Sequence, residues 1–185
     1  MLSRGVSCWP VGAGRRRPAR RGTLPMVARG LGHSYGDAAQ CGGGLVVDCT
    51  GLNRVLALDV GAAKVRAQAG VSFDELLRWL VPKGLSPPVT PGTRFVTLGG
   101  AIASDVHGKN HHVDGTVSRH LVYMRIATPT ESVECSPTQR DDVFWATCGG
   151  IGLTGVVLEA VLRPLPIETS TMLVDTEREM TSMPA

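Results

Sequence analysis

Glycine placement constrains this chain more than any other feature. Three glycine-bearing runs, residues 28–37 (ARGLGHSYGD), 99–112 (GGAIASDVHGKNHH) and 149–155 (GGIGLTG), interrupt sequence that is otherwise short, apolar and β-branched. Without a Cβ the backbone turns with φ > 0 and lets a flat or charged group approach closely, so the chain reads as short elements joined by loops that carry chemistry. The third run contains a literal G-x-G-x-x-G at Gly150, Gly152 and Gly155. A nicotinamide-binding fingerprint must follow a strand and open a helix. Here a helical pattern precedes the run and a strand pattern follows it, which argues against that reading.

Between the loops the period alternates. LVVDC (45–49), RVLALD (54–59) and KVRAQAG (64–70) read as strands set apart by turn residues. SFDELLRWLVPKG changes period: Ser72 and Glu75 form a capping box, Phe73, Leu76, Leu77 and Leu80 share one face, and Pro82 and Gly84 stop the helix. A Pro/Gly-rich loop, GLSPPVTPGT, leads into the second glycine run. HLVYMRIAT and ESVEC read as a hairpin around PTE, and QRDDVFWAT as a second, shorter helix. GVVLEAVLRPLP reads as a strand ended by Pro164 and Pro166, although its apolar run also suits a helix. Strands and helices mix without strict βαβ alternation, which predicts an α+β fold.

The first loop follows PMV, read as the end of a strand. Gly30, Gly32 and Gly36 can gather backbone N–H groups into a nest for a phosphate, with Arg29 at its edge and Ser34 as a further donor. An ordinary glycine-rich turn accounts for the same spacing equally well. In the second, Thr97, Gly99, Gly100, Ala101, Ala103 and Ser104 leave little side-chain bulk and read as a loop pressed on a flat ring. His107, His111 and His112 raise the question of a metal, but Gly108 and Asn110 weaken any helix between them. Adjacent histidines in an extended segment point opposite ways, and no zinc signature is present. Metal is the minority reading.

The formal charge is +3 over 185 residues, and Arg15, Arg16, Arg17, Arg20 and Arg21 crowd one short segment. We read residues 1–25 as a basic, disordered tail; an arm that binds nucleic acid or anionic lipid is the lesser alternative. No apolar stretch follows these arginines as a signal peptide requires, and no apolar run reaches the roughly 18 residues of a membrane span. The expected setting is cytoplasmic or membrane-peripheral. Five cysteines, Cys8, Cys41, Cys49, Cys135 and Cys148, lack any CxxC pair, so they read as small buried hydrophobes in a reducing compartment.

Taken in order, ARGLGHSYGD, PGTRFVTLGGAIASDVHGKNHH and FWATCGGIGLTGVVLEA resemble the flavin domain of the vanillyl-alcohol-oxidase (PCMH-type) superfamily. Within it they resemble the decaprenylphosphoryl-β-D-ribose 2′-oxidase group, over residues 27–166. The resemblance implies a PCMH-type FAD-binding domain of two small α/β subdomains over residues 26–166, with residues 167–185 beginning a linker toward a substrate (cap) domain that is missing. It implies that Ala28, Arg29, Gly30, Leu31, Gly32, His33, Ser34, Tyr35, Gly36, Asp37 and Ala38 wrap the FAD pyrophosphate. Gly92, Thr97, Leu98, Gly99 and Gly100 would line the ribityl and isoalloxazine part. Val156 and Val157 would contact the adenine end through their backbone, and His107 would stand beside the ring. Catalysis would fall to Lys109, His107 and Tyr35, in the oxidation of a secondary sugar alcohol with hydride passing to the flavin.

Two departures qualify this. His33 stands where the resembling group has arginine; a histidine here looks like the sugar-lactone and alditol oxidases, in which it bonds covalently to the flavin. The chain is also much shorter than such enzymes, which sets an active FAD-dependent sugar oxidoreductase, alone or with a cap-domain or reductase partner, against an inactive flavin-binding remnant.

Overall fold

The computed structural model describes residues 7–10, 25–171 and 173–176. Strands β1 (Ser7–Pro10), β2 (Met26–Arg29) and β3 (Leu45–Asp48) make a three-stranded sheet with β3 in the middle, antiparallel to β1 and parallel to β2. Then come β4 (Val55–Asp59), β5 (Lys64–Gln68), helix α1 (Phe73–Leu80), β6 (Leu85–Ser86), α2 (Leu98–Ala103) and α3 (His111–Asp114). The chain continues through β7 (Leu121–Ala127), β8 (Ser132–Cys135), α4 (Asp141–Thr147), β9 (Val156–Leu162) and β10 (Leu165–Pro166). The second sheet runs β4-β5-β9-β7-β8, antiparallel throughout, and β10 pairs with β6 beside it. The fold is α+β.

Alternation along the second sheet decides its faces. In β5, Val65 and Ala67 are buried while Lys64 and Arg66 point away, as a period of two requires. The buried face meets α1 and α2: Phe73, Leu76, Leu80, Leu98 and Ile102 pack with Met124, Ile126, Ala160 and Leu162 in one cluster. A second, smaller cluster of Val47, Cys49, Leu52 and Val156 joins the three-stranded sheet to the start of β9. Each fully buried Leu, Ile or Phe contributes about 1.5–3 kcal/mol, so the sheet–helix cluster dominates.

Helix α1 forms as its sequence dictates. Ser72 Oγ accepts from Glu75 N at 3.1 Å while Ser72 N donates to Glu75 Oε2 at 2.7 Å, completing the capping box. Arg78 pairs with Asp74 one turn back at 2.9 Å. A 3₁₀ turn over Val81–Lys83 ends on Gly84 at φ 71. Leu77, placed on the buried face from sequence, is only half-buried.

Several expectations are corrected. Ser7–Pro10, inside the segment read as a tail, pairs with β3; the five clustered arginines lie outside the described residues. Ala28 and Arg29, assigned to the first loop, close β2, because parallel pairing to Val47 and Asp48 satisfies their backbone. The run read as a loop at 98–103 is helix α2, since Thr97 caps it and alanine and glycine leave no steric objection. Pro164 interrupts β9, but Leu165–Pro166 still pairs antiparallel with Leu85–Ser86.

One close approach sets the seam between the two clusters. Gly70 N donates to Leu52 O at 2.8 Å, and a Cβ at this position would lie 2.1 Å from Cys49 O. Gly70→Ala is therefore expected to lower stability by at least about 2 kcal/mol in urea denaturation. Gly61→Ala, whose Cβ would meet only Asp59 Oδ1 at 3.6 Å, should leave the midpoint within about 0.5 kcal/mol of the parent.

Candidate functional site

All three glycine runs meet on α2. At its start, Thr97 is 3% exposed and accepts from Gly100 N at 3.2 Å. Leu98 N donates to Val71 O at 2.8 Å and Gly99 N to Ala69 O at 2.7 Å. The first loop lies against the same residue: a Cβ on Gly30 would fall 2.2 Å from Thr97 Oγ1. At the other end Gly149 N donates to Ile102 O at 3.1 Å and Ile151 N to Ala103 O at 2.8 Å. Thr147 Oγ1, 2.9 Å from Thr154 Oγ1, closes the third loop on α4.

This arrangement reassigns part of the expected site. The side chains of Thr97 and Leu98 are buried, and the N–H groups of Leu98, Gly99 and Gly100 already have partners within the chain. That run can offer a bare backbone surface but no free donors. Val156 and Val157 are each 7% exposed and pair with Ala127 and Ile126 of β7, so neither side chain is open to a ligand. Gly155, at φ 148, turns the chain into β9 where a Cβ would lie 2.4 Å from Ala127 O.

The first loop is the opposite case. Leu31, Gly32, His33, Ser34, Tyr35, Gly36, Asp37 and Ala38 are exposed, Tyr35 completely so, and Gly30 is half-buried. Gly32 at φ 74 and Gly36 at φ 64 hold the loop in the left-handed region, and the Arg29 guanidinium folds over Gly32, where a Cβ would be 2.5 Å from Nη2. Among the described residues the side chains of Arg29, His33, Ser34, Tyr35 and Asp37 make no hydrogen bond or ion pair. Gly92, across the gap in sequence, has ordinary φ and nothing within 4 Å of its missing Cβ. Nothing in the chain itself requires glycine there.

The HGKNHH segment is anchored from behind. Gly108 is buried against Thr90, whose O would lie 3.0 Å from a Cβ. Asn110 Nδ2 donates to Pro88 O at 3.0 Å and to Asp114 Oδ2 at 2.6 Å, and His120 Nε2 bonds Asp114 O at 2.9 Å. His111 and His112 open helix α3 instead of an extended segment, and the rings of His107 and His111 lie 5.0 Å apart, tilted 59°. Among the described residues no cluster of His, Cys, Asp or Glu could hold a metal ion. Lys109 and His107 are exposed; among the described residues Lys109 has no partner, and His107 Nδ1 sits 3.3 Å from Gly108 O. Asn110, Asp114 and Thr90 were not singled out from sequence. The i, i+4 spacing of Asn110 and Asp114 was the available signal.

Cys49 and Cys135 are buried, Cys41 and Cys148 half-buried, and none of the four is in a disulfide. Burial pushes the Cys135 thiol up to about 11 and, with Asp105 nearby, the Cys148 thiol up to about 12.

A family model described as "FAD binding domain" matches residues 16–136. The chain is 48% identical to a decaprenylphosphoryl-beta-D-ribose oxidase from Mycolicibacterium smegmatis over 161 residues, covering 86% of this chain and 35% of that protein. It is 32% identical to an L-gulonolactone oxidase from Scyliorhinus torazame, over 74% of this chain and 31% of that one. A putative D-arabinono-1,4-lactone oxidase from Neurospora crassa is 27% identical over 81% and 27% respectively. The chain spans about a third of the length of the curated relatives it matches.

The raised thiols give a direct test. At pH 8 iodoacetamide should leave Cys135 and Cys148 unmodified in the folded chain and label both in urea. An unfolded thiol ionises near pH 8.5, whereas these two keep their protons to about 11 and about 12. Their contribution to stability is thus complete below about pH 8 and falls as pH rises through that window, which a urea series between pH 7 and 11 would read.

Proposed function

The chain belongs to the FAD-binding domain family, and we propose that its residues 26–166 form the flavin-holding part of an oxidoreductase that acts on a secondary alcohol of a sugar. FAD is the cofactor. What carries the reading is the first loop: exposed, bent by Gly32 and Gly36, and bearing polar side chains that find no partner among the described residues. A polar loop of that kind fits a pyrophosphate, which accepts hydrogen bonds and carries charge that Arg29 can meet. Open space at Gly92 and the bare backbone of Gly99 and Gly100 suit the flat part of the cofactor.

When bound, FAD supplies the two-electron acceptor for a carbinol hydrogen. This chain's residues do the rest. Lys109 Nζ, exposed and without a partner among the described residues, would donate a hydrogen bond to the sugar hydroxyl oxygen and favour loss of the hydroxyl proton to a base or to solvent. His107 fixes the orientation at the ring, held by its backbone bridge to Thr116, and Tyr35 reaches over the site from the loop tip. Asn110 fixes the Lys109 segment to Pro88 and Asp114. Water exclusion calls for a further wall over the exposed loop, supplied by a cap domain or a partner such as a reductase.

The name of the Mycolicibacterium relative makes a polyprenyl-phosphoryl ribose the favoured substrate class. No helix among the described residues is long and apolar enough to cross a membrane, so contact with a lipid-linked sugar would be peripheral. A second reading rests on His33. Its exposed and unpartnered ring, together with the two lactone oxidases above, suits a covalent link to the flavin.

Four measurements test this. Visible flavin absorbance after reconstitution should be retained by the chain; a colourless protein that FAD cannot reconstitute would overturn the assignment. Acid precipitation separates the two linkages: colour in the supernatant means free FAD, and colour in the pellet that His33→Ala releases means the covalent form. Gly92→Val should weaken FAD binding about tenfold or more while leaving the thermal melt of the flavin-free chain unchanged. Anaerobic bleaching by a phosphoryl ribose should slow about 100-fold in Lys109→Ala at equal flavin content. Bound flavin that no sugar alcohol reduces would make the chain an inactive flavin-binding remnant.

A further inference from the structure

The face of the five-stranded sheet turned away from the core holds a cleft of about 330 Å³ whose polar lining is Arg54, Arg66, Gln68, Arg125 and Glu159. None of the residues assigned to the flavin lines it. Register explains the convergence. Glu159 on β9 lies opposite Gln68 on β5 and opposite Arg125 on β7, so residues from three adjacent strands point to one spot.

Donors outnumber acceptors there. Glu159 is 3% exposed. Its Oε1 accepts from Arg66 Nε at 3.0 Å and from Nη2, and its Oε2 accepts from Arg125 Nη2 at 3.0 Å. One carboxylate therefore serves two guanidinium groups, and a third is left over. The Arg54 side chain makes no hydrogen bond or ion pair among the described residues. Arg125 Nε is buried without an acceptor. Gln68 Oε1 accepts from Arg54 N at 3.1 Å, which leaves the Gln68 amide N–H₂ as another donor. Glu134, opposite Arg125 on β8, neither lines the cleft nor pairs with it. A cross-strand ion triad that only stabilised the sheet would need Arg66, Glu159 and Arg125; it accounts for neither the free Arg54 nor the orphaned Arg125 Nε.

We propose that this cleft is a second anion site, binding a phosphate-type dianion through Arg54 and Arg125, whether as a free phosphate group or as the headgroup of an anionic lipid. Guanidinium forks match tetrahedral oxyanions with two parallel bonds. The Arg125 side chain lines the cleft and is 40% exposed, so an anion seated beside Arg54 also meets its guanidinium. The cleft volume admits a phosphate with part of the group it is attached to.

The test titrates inorganic phosphate into the FAD-saturated full chain by calorimetry, against chloride at equal ionic strength. Saturable binding to the parent, weakened about tenfold in Arg54→Gln, is expected. Because Arg54 has no partner to lose, that variant should keep the parent's urea midpoint. Co-sedimentation with phosphatidic acid vesicles, against phosphatidylcholine vesicles, distinguishes the sources: Arg54-dependent sedimentation identifies a lipid headgroup, and phosphate binding without it identifies a free phosphate. The proposal is overturned if phosphate acts no differently from chloride and no vesicle binding depends on Arg54. It is equally overturned if binding appears only without FAD, which would locate the phosphate in the first loop.

Discussion

The contact on which the rest of the site depends is the approach of α2 to the strand end at Ala69. Gly99 N bonds Ala69 O at 2.7 Å, and a Cβ on Gly99 would stand 2.9 Å from Ala69 Cβ. Any side chain there would push the helix outward, and α2 is the piece on which all three glycine runs are fixed. Moved by an ångström, Thr97 would no longer meet Gly30, and the carbonyls of Ile102 and Ala103 would no longer hold Gly149 and Ile151. The small residues of this run therefore serve packing first. A helix seated this closely also leaves the loops gathered around it.

The same seating divides labour between backbone and side chain. A helix start ordinarily offers unpaired N–H groups, and a phosphate could be expected there. In α2 those donors bond Val71, Ala69 and Thr97 instead. Exposed polar groups are instead found in the first loop, and α2 offers only backbone whose donors are already bonded.

Much of the fold was legible in the sequence, because it rests on local rules. The capping box of α1, the hairpin at PTE and the α4 helix follow from periodicity and turn chemistry, and each is found where expected; the apolar run at 156–162, which also suited a helix, is the strand β9. The loop assignment of 98–103 failed because glycine and alanine suggest freedom, whereas a single threonine cap and a nearby strand end were enough to fix a helix; the deciding partners are some 25 residues away. β1 escaped notice because its pairing with β3 is non-local and its own residues, Ser-Cys-Trp-Pro, carry little strand signal. In the site, the glycine loops could be read directly. The anchoring of Lys109 by Asn110 to Pro88 could not, since a contact across 22 residues leaves no mark in spacing.

The order of strands has a consequence for how the molecule is made. The five-stranded sheet is closed by β9, which lies between β5 and β7 yet is the last of the five to be synthesised. Until it emerges, β4–β5 and β7–β8 are separate hairpins, each with an open edge where β9 belongs and an apolar face without its central strand. Such edges invite pairing with other chains, and pairings this distant form slowly. Glu159, near the middle of β9, then arrives between Arg66 and Arg125, two charges of the same sign that had no common partner until that moment. Completion of the sheet and the pairing of its central arginines with one carboxylate are a single late event, because Glu159 arrives with the β9 ladder itself.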